Sequence, residues 1–86
     1  MKKVAADELL RLLEGDKELL HILNEVGIID ENASVFAADE VEVILISRTL
    51  VRELEINGPG VDVILRLRKQ LLLTRKRLAE LGRRRT

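Results

Sequence analysis

Leu54-Glu55-Ile56-Asn57-Gly58-Pro59-Gly60-Val61 is the stretch that decides how this chain folds. On its N-terminal side, apolar residues recur at helical spacing from Val41 to Leu54. On its C-terminal side, a basic, leucine-rich segment runs to Thr86. Asn57 is suited to cap a helix, because its side chain can accept a bond from an orphan backbone N–H. Pro59 falls in the first turn, where a missing N–H costs nothing. Gly58 and Gly60 permit a tight turn or the close approach of a neighbour. The octet therefore predicts a short rigid elbow between two helices. A helix, an elbow and a long arm make a module that positions a dimerising element, not a catalytic pocket.

Working outward, 86 residues allow one small domain. A chain of this size buries only about 60–65% of its unfolded surface, so it gains from oligomerisation. Phe36 is the only aromatic residue, which leaves an aliphatic core. The absence of cysteine excludes a disulfide, a thiolate metal site and a cysteine nucleophile. No apolar run approaches the roughly 20 residues needed to span a membrane. Met1-Lys2-Lys3 leads into a charged amphipathic segment rather than a signal-peptide core, so a cytoplasmic location is expected. The formal net charge of zero hides a split: residues 1–58 carry six Lys or Arg against thirteen Asp or Glu, and residues 59–86 carry nine against two. An acidic head and a basic arm favour head-to-arm packing in a dimer and attract partners of opposite charge.

Asp7 to Glu14 reads as a first helix, with Leu9, Leu10, Leu12 and Leu13 apolar and Asp7 and Glu8 at the positive end of its dipole. Gly15 ends it. Asp16 is placed to cap a second helix over Lys17 to Val26, and Gly27 sits where a C′ glycine belongs. The short joint is helix-turn-helix spacing. Ile28 to Phe36 sets two apolar pieces around a polar turn, which predicts a small hairpin, or wing. The third helix is expected from Ala38 to about Leu54, because Leu50, Val51 and Leu54 extend the pattern beyond strand length.

The fourth helix is expected from Pro59 to Leu81, roughly 35 Å at 1.5 Å per residue. Ile64, Leu71 and Leu78 repeat every seven residues, and Leu67, Thr74 and Leu81 follow at the second apolar offset of a coiled coil. A second stripe of Val61, Leu65 and Leu72 is available to pack on the third helix. A monomer cannot bury both stripes. A homodimer through Ile64, Leu67, Leu71, Leu78 and Leu81, with antiparallel arms, is the expectation. Gly82 to Thr86 is expected to fray. The fold class is all-α: a winged helix-turn-helix head over 1–57 with a minimal wing, a dimerisation helix over 58–82 and a basic tail over 83–86.

This order of elements, with Gly27-Ile28-Ile29 after the second helix, resembles the MerR superfamily across about residues 5–82. The stretch from Leu54 to Val61 resembles the elbow of two of its branches, the HspR-type heat-shock repressors and CbpM, the modulator of the DnaJ-like co-chaperone CbpA. Val35-Phe36 before a long apolar helix, and Pro59-Gly60 after the elbow, look closer to CbpM. The charges separate the branches. DNA-binding MerR proteins carry an Arg-Tyr-type pair on the second helix and an arginine-rich wing. Here the matching positions are His21 and Ile22, and Asn32-Ala33-Ser34-Val35-Phe36 holds no cation. Glu18, Glu25, Asp30, Glu31, Asp39 and Glu40 surround them, and such a surface repels a duplex.

The CbpM resemblance implies binding to the basic J-domain of a DnaJ/CbpA-type co-chaperone, and modulation or inhibition of its activity. Asp39, Glu40, Glu42, Thr49 and Glu53 on the third helix are the candidate partner contacts. A solvated face is the ordinary alternative for such a run, and Asp39 and Glu40 also suit a helix N-terminus. Arg66, Arg68, Lys69, Arg75, Lys76 and Arg77 lack an interleaved aromatic for base stacking, so arm solvation and pairing with an acidic head fit them better than nucleic acid. His21 is the single histidine, and Ser34 and Ser47 have no base to activate them. No enzymatic activity and no cofactor or metal are expected.

Overall fold

The computed structural model describes residues 2–84. Its elements are β1 (Lys3–Ala5), α1 (Ala6–Leu12), α2 (Lys17–Glu25), β2 (Val35–Ala37), α3 (Ala38–Arg48), a π-helical turn (Thr49–Glu53) and α4 (Gly58–Arg84). The fold is mainly α with one small sheet.

The sheet corrects the expected hairpin. β1 and β2 pair antiparallel, with Lys3 opposite Ala37, Val4 opposite Phe36 and Ala5 opposite Val35. Ile28 to Ser34 forms no strand. Ile29 is buried there as a loop residue. Asp30 closes the chain locally: its carboxylate accepts the Asn32 N–H at 2.9 Å, and its carbonyl accepts the Ala33 N–H at 3.2 Å. Local bonds of this kind compete with an extended ladder. The partner of β2 comes instead from the N-terminus.

α1 ends where Glu14 and Gly15 take positive φ, 55° and 80°. Asp16 then caps α2, its Oδ1 accepting the Leu19 N–H at 3.0 Å. Gly27, at φ 77°, closes the helix, and the Ile28 N–H reaches back to the Leu23 carbonyl at 2.9 Å. At the start of α3, the Glu40 carboxylate accepts the Ala37 N–H at 3.0 Å. α3 then widens. The Leu54 N–H bonds the Thr49 carbonyl five residues back, at 3.2 Å.

The elbow forms as its residues dictate. The Gly60 N–H donates to Asn57 Oδ1 at 2.8 Å, and the Val61 N–H to the Asn57 carbonyl at 2.9 Å. Gly58 is pressed against α2: a Cβ there would lie 3.1 Å from Val26 Cγ1 and 3.2 Å from Ile22 Cγ2. A Cβ here would have to push these two side chains back by a few tenths of an ångström, so glycine gives the closest fit.

Leu9, Leu13, Leu19, Leu23, Phe36 and Ile44 make the centre of the core, and Val61 carries the start of α4 into it. The second arm stripe packs at its root, where Val61 is buried, and opens toward Leu72; the π-turn, inside the span expected for the third helix, shares this contact with α2. α4 packs mainly on α2 and the π-turn, Leu65 lies against the core edge, and Leu72 remains 47% exposed. From Leu71 to Arg84 every residue of α4 is exposed. The arm boundary also shifts. Gly82, Arg83 and Arg84, expected to fray beyond 82, continue the helix. One helix-interior glycine costs only about 1 kcal/mol relative to alanine, which is too little to stop a helix without a left-handed cap. Arg85 and Thr86 lie outside the described residues.

Candidate protein-binding face

The outer side of α3 and the π-turn carries the acidic residues that the sequence singles out. Asp39, Glu42, Thr49 and Glu53 are all exposed. Glu40 is half-buried and its carboxylate is spent on the Ala37 N–H, so it belongs to the helix cap. Glu42 is engaged by Arg68, whose guanidinium sits 2.7 Å away and ties α4 to α3. The acidic head and basic arm therefore meet within one chain at this point. Asp39 and Glu53 form no ion pair among the described residues.

Thr49 and Glu53 border a shallow depression of about 460 Å³ with Asp16, Leu45, Arg48 and Arg52. Leu45, 41% exposed, gives it an apolar patch. The two arginines are held from below. Arg52 reaches Asp16 and Glu18, at 2.8 and 3.1 Å, and Arg48 lies 3.5 Å from Glu14. Arg52 holds the Asp16 carboxyl below its ordinary value, with the Leu19 N–H helping and burial opposing. The sequence reading assigned Leu45, Arg48 and Arg52 no role. Arg52 and Asp16 are 36 positions apart, and no periodicity links them. The usable signal was the acidic residues clustered where α1 ends and α2 begins.

α2 presents an anionic face as well. His21 Nδ1 lies 2.9 Å from Glu31 Oε2, and Nε2 lies 3.3 Å from Glu25. The Glu31 carboxylate, by hydrogen bond and then by charge, raises the imidazole above its ordinary value, and Glu25 adds to this. Asn24 completes the cluster by accepting the Glu31 N–H at 3.1 Å. Ile22, the neighbour of His21, is half-buried beneath Gly58 and serves packing. From Glu18 to Ser47 the chain has seven carboxylates and no lysine or arginine. Ser47 is fully buried and donates to the Val43 carbonyl at 2.7 Å. Among the described residues, no group of three or more His, Cys, Asp or Glu is placed to hold a metal ion.

Along α4, Leu67, Leu71, Leu78 and Leu81 are each more than half exposed, and Ile64 is half-buried at the root of the same stripe. Single exposed leucines are ordinary, but a continuous heptad stripe of them is not.

No family model, no curated protein and no solved structure matches this chain. No described helix is long and apolar enough to cross a membrane.

Proposed function

We propose that this protein is a CbpM-like regulator that acts by protein binding. Its acidic head docks on the basic J-domain of a DnaJ/CbpA-type co-chaperone and lowers that co-chaperone's activity. It works in the cytoplasm as a homodimer joined through the exposed stripe of α4, with no chemistry of its own. The head is a MerR-like helix-turn-helix whose wing has shrunk to a turn.

The carrying observation is the run from Glu18 to Ser47, with seven carboxylates and no lysine or arginine, spread over α2, the following loop and α3. Phosphate neutralisation supplies most of the affinity of a DNA-binding head, and this surface offers none. A basic protein surface is the complementary partner. Glu53 borders the Leu45 patch, and Asp39 is exposed in the first turn of α3; neither forms an ion pair among the described residues. Thr49 lies beside the patch, and Glu42 joins once Arg68 exchanges partners.

The second reading is an HspR-type transcriptional regulator, favoured by the close joint between α1 and α2 and by the basic arm. A gel shift with duplex DNA and a pull-down on an immobilised J-domain, both at low salt, separate the readings. J-domain capture without a DNA shift supports the proposal. A DNA shift that fades steeply with salt, without J-domain capture, rejects it.

A further inference from the structure

α4 has a second apolar side that the dimer seam does not use. At about 100° per residue, Leu65, Lys69 and Leu72 are turned by about 100–160° from Leu67 and Leu71. This side faces a groove of about 540 Å³ between α4 and the head. Ile28, Val43, Leu65, Leu72 and Leu73 form its walls. Its edge is cationic, with Arg66, Arg68, Lys69 and Lys76 against a single Asp62. Two of these cations are already engaged, Arg66 with Asp62 at 3.1 Å and Arg68 with Glu42 at 2.7 Å. Lys69 and Lys76 form no ion pair among the described residues. They stand seven residues apart, about two helical turns along the rim.

We propose that this groove is a docking site for an acidic amphipathic helix of a partner protein. The apolar face of that helix lies on Leu65, Leu72 and Val43, and its carboxylates meet Lys69 and Lys76. Charge complementarity selects this occupant. The arm of a second copy would bring its own cations against the lysine rim, since Asp62 and Glu80 are the only carboxylates from Pro59 onward; docking of a second copy's acidic head is the competing outcome that the sedimentation mass detects. The acidic head is a separate surface with the opposite preference, so a failure of J-domain binding leaves this site standing.

The test is fluorescence anisotropy with the full chain and a labelled helical peptide carrying leucine on one face and flanking glutamates. A twin peptide replaces every glutamate by lysine. The glutamate peptide should bind saturably and weaken with salt, and the twin should not bind. Lys69→Glu with Lys76→Glu should lower affinity by about tenfold or more without unfolding the chain. Leu72→Asp should do the same while leaving the sedimentation mass unchanged. Equal binding of both peptides, or affinity unchanged in these variants, overturns the proposal. A lower sedimentation mass for Leu72→Asp would mean that a second copy fills the groove. Binding to phosphatidylglycerol vesicles but not to the peptide would mean a lipid surface. Either result also overturns it.

Discussion

Arg52 grips Asp16 through two nitrogens, at 2.9 and 2.8 Å, while the same carboxylate accepts the Leu19 N–H at 3.0 Å. One side chain thus caps α2 and anchors the π-turn that leads into the elbow. Asp16→Ala removes both contacts and should cost about 1–2 kcal/mol in urea unfolding. Asp16→Asn keeps an acceptor for the cap and should cost less. The pH dependence has a definite sign. The folded carboxyl lies below its ordinary value, so its contribution is present above about pH 4 and disappears as pH falls through the folded value. Asp16→Ala should therefore flatten the acid limb of the stability curve, and a parallel limb would show that the pair contributes nothing.

His21 gives the opposite sign. Glu31 raises its folded value, so its stabilisation is complete below about pH 6.5 and is lost as pH rises through the folded value. Urea midpoints of the parent and of His21→Gln, followed across this range, should converge at high pH and separate at low pH. A difference that grows with pH would contradict the Glu31 contact.

Glycines at the two ends of α4 should respond in opposite directions. At Gly60 a Cβ would fall 2.7 Å from Ile56 Cγ2 and 3.1 Å from Asn57 Oδ1, in the cap itself. Gly60→Ala should destabilise the elbow by about 1–3 kcal/mol. At Gly82 an added Cβ meets nothing within 4 Å. Gly82→Ala should raise helix content and stabilise the arm by up to about 1 kcal/mol. Circular dichroism with thermal unfolding reads both, and a stable Gly60→Ala variant would show that the elbow relaxes.

Leu71 tests the arm. It lies at the middle of the exposed seam and is 57% exposed in the single chain. Leu71→Asp should halve the sedimentation mass while leaving the head folded. An unchanged mass would reject this interface.

Legibility in the sequence followed the range of the interactions. The caps of Asp16 and Asn57, the Gly27 stop and the elbow rest on contacts three to five residues long, and residue type announces them. The sheet was misread because the partner of Val35–Ala37 is Lys3–Ala5, a strand too short to show alternation. Buried Ile29 imitated a strand from within a loop. The depression beside Thr49 was half visible: Thr49 and Glu53 stood out among the candidate contacts and Asp16 as a cap, but Arg48 and Arg52 join them through contacts to the α1–α2 region that no spacing encodes. Glu40, a candidate contact that also suited a helix N-terminus, caps α3 through the Ala37 N–H, as its place three residues after Ala37 allows.

The central claim concerns the acidic head, and titration calorimetry of the full chain against a purified J-domain tests it most directly. The account predicts saturable binding at low salt that weakens at physiological salt, with Asp39→Lys and Glu53→Lys each reducing affinity at unchanged stability. Absence of heat at low salt, or binding indifferent to both substitutions, would contradict it.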